Sequence, residues 1–255
     1  MRIAAAVTKT MMKSRAAALA VLLAACAEPS APDPPLAPIP NSLFAAEAER
    51  QWRLPLELLE ISGMAISPDG RLFAHDDERA VIYEIDAERG ALVKRFALGA
   101  PLTGDFEGLA IDRRGVFWMI TSDGYLLRFA EGPDGGRVAY ETIDTGLRET
   151  CEIEGLAPLS AGDSLIIACK QNHDRDMRET IALYRWRPSG EAELWRSIPL
   201  GAIEAATGAA AFQPSSIEFD RQTGRTILLS ARDAALVELD GERIAAARRL
   251  GRIHT

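Results

Sequence analysis

A short phrase recurs four times along the chain: Ile61-Ser62-Gly63-Met64-Ala65-Ile66, Phe106-Glu107-Gly108-Leu109-Ala110-Ile111, Ile153-Glu154-Gly155-Leu156-Ala157 and Pro214-Ser215-Ser216-Ile217-Glu218-Phe219. Its second position advances by 45, 47 and 61 residues. A unit of that length cannot bury its own apolar faces, so successive copies must stack, and this spacing is that of a propeller blade.

Each repeat has one internal order. The strand carrying the phrase is followed by a turn rich in Gly, Asp and Pro, as in Pro68-Asp69-Gly70, 112–115, 160–163 and 220–224. A second apolar strand follows (72–74, 116–120, 165–168, 226–229), then an alternating third (81–85, 125–129, 181–186, 236–239) and a weaker fourth (92–98, 137–143, 193–198, 243–250). The prediction is an all-β chain, a β-propeller of four-stranded antiparallel blades. Four blades are visible, and Thr255 falls where a fifth phrase would start, so five or six are expected in the complete protein, with 44–255 a C-terminally truncated propeller domain. The third repeat is longer by about 15 residues, in the polar stretch 171–180 and in the Ala-rich stretch 201–212, where a helical turn is expected. Residues 44–54 read as a short helix or the approach to the first strand, and 56–61 as an isolated strand.

The first residues have another purpose. Arg2, Lys9, Lys13 and Arg15 precede an apolar run, 16–25, that ends at Cys26. Ten residues make roughly 15 Å of helix, half a bilayer core, so the run reads as a signal peptide over 1–25 and not as a span. Leu23-Ala24-Ala25-Cys26 resembles a bacterial lipobox. That resemblance implies cleavage before Cys26 and acylation of its thiol and new amino group, with several acyl chains making a stable anchor. Ala27 then implies outer-membrane sorting, with the domain facing the periplasm. Residues 26–43, with six prolines, read as the acylated Cys and a semi-rigid tether.

Without residues 1–25 the chain keeps 25 basic against 37 acidic residues, a net charge of −12. Nucleic acid and direct docking on anionic headgroups are thereby disfavoured as partners. The remaining cysteines, Cys151 and Cys169, are placed opposite each other if the third repeat's first turn centres on Ser160, which predicts a cross-strand disulfide in an oxidising compartment. Two buried free thiols are the alternative.

Propeller geometry gathers the start of strand one, the end of strand two and the start of strand three at one rim. Glu107, Glu152 and Glu154 are expected there with His75, Asp76, Asp77, Glu78, Asp105, Asp123 and Lys170. Crowded carboxylates need a neutraliser. Calcium, a hard cation taking six to eight oxygens, is one, with Glu107, Glu154, Glu152, Asp105, Asp76, Asp77 and Asp123 as candidate ligands. Pairing with Lys170 or Arg148 is another, and solvation of the acids is the third. The sequence contains no histidine pair of zinc spacing, nucleophile elbow or phosphate loop. Trp52, Trp118, Trp186 and Trp195 are expected to pack between blades.

Phe106-Glu107-Gly108-Leu109-Ala110, Cys151 to Ala157, Leu165 to Lys170 and Gln213-Pro214-Ser215 together resemble the SdiA-regulated domain family of bacterial envelope propellers, over roughly residues 55–255. The resemblance implies a calcium site near the axis and no settled reaction. The expected function is a membrane-anchored periplasmic lipoprotein. Its propeller would bind a cation at the channel mouth and a small-molecule or protein ligand on that rim. The alternative is a metal-dependent hydrolase of the lactonase or phosphoesterase kind, with His75 or Asp77 as the base.

Overall fold

The computed structural model describes residues 51–159, 164–188, 190–209 and 211–250. The signal peptide, Cys26, the tether and Ser160 lie outside the described residues.

Four antiparallel sheets follow one another along the chain. Blade 1 is β1 (Ile61–Ile66), β2 (Leu72–Asp76), β3 (Val81–Asp86) and β4 (Ala91–Leu98). Blade 2 is β5 (Phe106–Ile111), β6 (Phe117–Thr121) and β7 (Tyr125–Phe129), with β9 (Tyr140–Asp144) at its edge. Blade 3 is β10 (Cys151–Pro158), β11 (Leu165–Asn172), β12 (Thr180–Trp186) and β13 (Glu193–Pro199). Blade 4 is β14 (Ser216–Asp220), β15 (Arg225–Ser230), β16 (Ala235–Asp240) and β17 (Arg243–Arg249). The predicted propeller of four-stranded blades is the architecture found.

The blades stack because each sheet is apolar on both faces. Phe117 and Met119 of β6 join the core shared with blade 1, while Trp118 and Ile120 join the core shared with blade 3. A strand sandwiched in this way reads as an unbroken apolar run. Three inter-blade cores result. Phe73, Phe96, Phe117 and Phe129 fill the first, largely edge to face. Trp118 and Trp186 meet in the second with ring centroids 5.5 Å apart, and Trp195 packs on Phe219 at 6.3 Å in the third. The expected inter-blade role is borne out for Trp118, Trp186 and Trp195, whereas the Trp52 indole donates to Glu88 O at 3.2 Å in the β3–β4 turn of blade 1.

The recurring phrase is the inner strand, and in blades 1 to 3 it contains two devices that the continuous, glycine-free β14 of blade 4 lacks. One is a β-bulge at or beside the second position, seen as a register shift between Ile61 and Met64, between Phe106 and Gly108, and on both sides of Ile153. A bulge turns a side chain away from the pleat it would otherwise occupy. The other is the glycine. A Cβ on Gly108 would lie 2.8 Å from the amide nitrogen of Leu156 in the next blade. Gly63 and Gly155 stand in the same relation to the amides of Leu109 and Ile217, each at 3.2 Å. The phrase thus codes for inner strands in backbone contact around the axis.

Four details differ from the sequence reading. Residues 56–61 are not an isolated strand: a 3-10 turn spans Leu56–Leu58 and β1 starts at Ile61. The fourth strand of blade 2 is split, its first part, β8 (Arg137–Val138), pairing in parallel with β4 of blade 1. That crossover seals the outer edge between the two blades. The Ala-rich insert forms a full helix, α1 (Leu200–Thr207), whose Ile203 is buried in the core between blades 3 and 4. Cys151 and Cys169 are bonded, with Cα atoms 5.8 Å apart, but they are not opposed. The two bulges shift the ladder so that Cys151 faces Asn172 and Cys169 faces Ile153, and the disulfide crosses diagonally.

Candidate site at the channel mouth

Main-chain hydrogen bonds link three blades at the rim where the inner strands begin. The Asp77 amide donates to Glu60 O at 2.8 Å, and the Phe106 amide donates to Asp77 O at 2.9 Å. The Ser122 amide donates to Asp105 O at 3.0 Å, and Ile153 N donates to Ser122 O at 3.1 Å. The residues that supply these carbonyls include Asp77 and Asp105, so the contacts that join the blades also gather their carboxylates. Ser122 has no charge or motif to mark it, and nothing in the sequence distinguishes it as a rim residue.

Glu107 sits inside this ring on the bulge of β5, only 8% exposed. Its carboxyl is pushed up to about 8, first by burial and then by Glu154 and Asp105, with Lys170 opposing and Asp77 adding to the rise. Glu107 is therefore largely protonated at neutral pH. Lys170, near the end of β11, reaches Glu154 at 2.9 Å and Glu152 at 3.1 Å. Although its partial burial disfavours charge, the two carboxylates hold Lys170 above the ordinary lysine value. Burial also raises Glu154, and Lys170 offsets this only in part. Asp77 is raised by partial burial and then by Asp105, Glu78, Asp76 and Glu60. Taken together, one lysine serves more acids than it can neutralise.

Not every predicted member joins. His75 is completely buried in the seam between blades 1 and 2, and its Nδ1 lies 2.9 Å from Asp76 O. Burial pushes its imidazole down to about 4, so the ring is neutral. A Cβ on Gly63 would fall 2.6 Å from His75 Nε2, so the phrase glycine of blade 1 makes room for this ring. Asp76 is buried and committed to structure: it receives the Arg79 guanidinium at 2.6 Å, the Tyr83 hydroxyl at 3.3 Å and the amides of Glu78 and Arg79. Asp123 accepts from the Thr121 hydroxyl at 2.7 Å and lies 3.6 Å from Arg148. The mouth proper is Glu107, Glu154, Glu152, Asp105, Asp77 and Lys170. Of the expected ion pairs, the one with Lys170 is formed, with Glu152 and Glu154.

No protein-family model and no curated protein sequence matches the chain. Solved structures do. Glutaminyl cyclase from Myxococcus xanthus aligns at 16% identity over 75% of this chain and 71% of its own, with a TM-score of 0.51. The Cps50 (Swd1) β-propeller domain of Myceliophteria thermophila aligns at 14% identity over 79% and 59%, with a TM-score of 0.41. Virginiamycin B lyase from Staphylococcus aureus aligns at 13% over 76% and 57%, with a TM-score of 0.39. The chain spans 71%, 59% and 57% of the lengths of these three chains, and 49% of that of Kuenenia stuttgartiensis hydrazine synthase, which it also matches. At such identities the likeness establishes the β-propeller fold alone.

Proposed function

We propose that this chain is a lipid-anchored envelope propeller whose acidic mouth binds a cation, with a small molecule or protein recognised on the same rim. The observation that carries the reading is Glu107: a nearly buried carboxyl, held up to about 8 by its surroundings, in a ring of acids that one lysine does not balance. A group kept so far from its ordinary value at a channel opening is poised to exchange its proton for a better partner. The anchor at Cys26, the periplasmic location and kinship with SdiA-regulated propellers belong to the same proposal and rest on the lipobox and the phrase residues.

Calcium is the cation proposed, and its fit is partial. The donors are hard carboxylate oxygens, which suit it. Among the described residues, however, no three histidine, cysteine or acidic groups stand close enough together to form a ready shell. Calcium must therefore compete with Lys170 for Glu154 and with the proton for Glu107. On that account calcium raises the melting temperature of the full chain in detergent. The rise is larger at pH 8 than at pH 6, and Glu107→Gln with Glu154→Gln abolishes it. Absence of any calcium response refutes the cation reading.

A metal-dependent hydrolase is the second reading. It would draw its base from Asp77, whose carboxyl is raised at the open mouth, and not from the sealed His75. Turnover in a lactone and phosphoester panel that EDTA and Asp77→Asn both suppress would favour it over a binding module.

A further inference from the structure

The mouth already holds one primary ammonium, and the protein supplies it. Lys170 Nζ stands 2.9 Å from Glu154 and 3.1 Å from Glu152. The ladder sets its place on β11: Cys169 faces Ile153, the residue before the phrase glutamate Glu154, and Lys170 follows. Corresponding places in the other blades can be read from the same register. In blade 2 Thr121 faces Phe106, so Ser122 takes the place of Lys170 and the phrase glutamate is Glu107. In blade 1 Asp76 faces Ile61, so the place falls to Asp77 and the phrase residue is Ser62.

Blades 2 and 3 therefore share the glutamate, but only blade 3 has the lysine. Glu107 is 8% exposed and has no hydrogen bond or ion pair among the described residues. The two glutamates belong to one place, because the glycines that follow them are in contact: a Cβ on Gly108 would lie 3.2 Å from the carbonyl carbon of Gly155. Glu154 Oε2, sealed from water 2.9 Å from Lys170, also has no aligned hydrogen bond. Nearly buried carboxylates of this kind are stabilised by a positive group that brings its own donors.

We propose that the small molecule recognised on this rim carries a primary ammonium group, and that this group takes Glu107 as Lys170 takes Glu154. This rests on the reading of the mouth as a cation site and gives the chemical class of its organic ligand. An ammonium offers three N–H donors on a compact charge, and acceptors at about 2.7–2.9 Å satisfy it. Calcium needs six to eight oxygens at about 2.3–2.6 Å. No three acids among the described residues come that close together, whereas Lys170 shows that carboxylates of the mouth already suit an ammonium. Ser122 is short where blade 3 has a lysine stem, so an alkyl chain on the ligand can follow the course of that stem. A quaternary ammonium has no N–H to give and cannot take the same role.

The probe is n-butylamine, whose cation is a free counterpart of the lysine side chain. It is titrated calorimetrically into the full chain in detergent, against butyltrimethylammonium and sodium chloride of matched ionic strength. Butylammonium binds saturably and the quaternary ion does not. Glu107→Gln, which keeps the size of the side chain, weakens butylammonium at least tenfold. Ser122→Lys gives blade 2 the tethered ammonium of blade 3; it raises the melting temperature and abolishes butylammonium binding. Butylammonium that binds no tighter than the quaternary ion, or equally to the parent and both variants, overturns the proposal. Calcium titrated into the same samples separates two failures: a calcium response without an amine response refutes the ammonium ligand and leaves the cation reading standing, and loss of both refutes both.

Discussion

Among the described residues, two clusters in which carboxylates meet cations are built to opposite ends. In the seam of blades 1 and 2, Glu131 receives Arg71 through two parallel bonds of 2.6 and 2.7 Å and also receives Lys94. Arg71 in turn lies over the Phe73 ring at 5.1 Å. The Arg71 hydrogen bonds are the largest effect on Glu131, and its carboxyl is driven down to about 2. Asp69 and Glu84 belong to the same clamp, each paired with Arg71, so all of its three acids meet a cation. At the mouth Lys170 pairs with Glu152 and Glu154, while Glu107 has no ion pair among the described residues and its carboxyl is driven up to about 8. Both clusters occupy blade seams and both are partly shielded from water. The pairing differs: every acid of the clamp meets a cation, and Glu107 does not. An acid with two cations locks blades together, whereas an acid with too few stores an unmet demand for positive charge. The first arrangement is structural and the second is what a binding site requires.

The largest expected effect tests how the mouth is held. The diagonal Cys151–Cys169 disulfide ties the strands that carry Glu152, Glu154 and Lys170. Replacing both cysteines by alanine should cost about 3 kcal/mol in unfolding free energy from the lost loop constraint. It should also weaken the calcium response, both read by thermal melts.

Next in size is Glu131→Gln. Its folded value lies below the unfolded one, so its contribution is complete above the ordinary glutamate range and is lost as pH falls toward 2. With partial exposure discounted, the variant should lose about 2 kcal/mol at pH 7 and approach the parent's stability at low pH. Glu107→Gln must behave in the opposite sense. A raised carboxyl value means that ionisation opposes the fold, and this cost grows between the unfolded value and about 8. The variant should therefore be more stable than the parent by about 1–2 kcal/mol at pH 9, an advantage that disappears below pH 4.5. Identical pH profiles for the two variants would erase the distinction between the clusters. The smallest effect is expected at Asp123→Asn, which loosens an exposed 3.6 Å pair with Arg148. A change within about 0.5 kcal/mol and an unaltered calcium response would keep Asp123 outside the site.

The two clusters also show what the sequence could reveal. The mouth was legible because its acids ride on a repeated phrase, so periodicity places Glu107 and Glu154 at equivalent points of adjacent blades. The Gly-to-amide contacts explain why the phrase repeats at all. The clamp was not legible, since Arg71, Lys94 and Glu131 belong to different strands and loops with no common spacing. His75 was misjudged for a related reason. It ends a strand among acids in sequence, but the pleat turns it into the seam over Gly63 while Asp77 remains at the rim. The disulfide pairing was anticipated but its register was not, because a bulge leaves no mark on a simple hairpin count.

The central claim is that the surroundings of Glu107 leave its charge unmet. A carbon-detected NMR titration of glutamate carboxyl groups in the full chain, with the Glu107 signal assigned by its loss in Glu107→Gln, measures this directly. The account predicts a midpoint near 8 that calcium moves downward; a midpoint in the ordinary range near 4.5, unmoved by calcium, contradicts it.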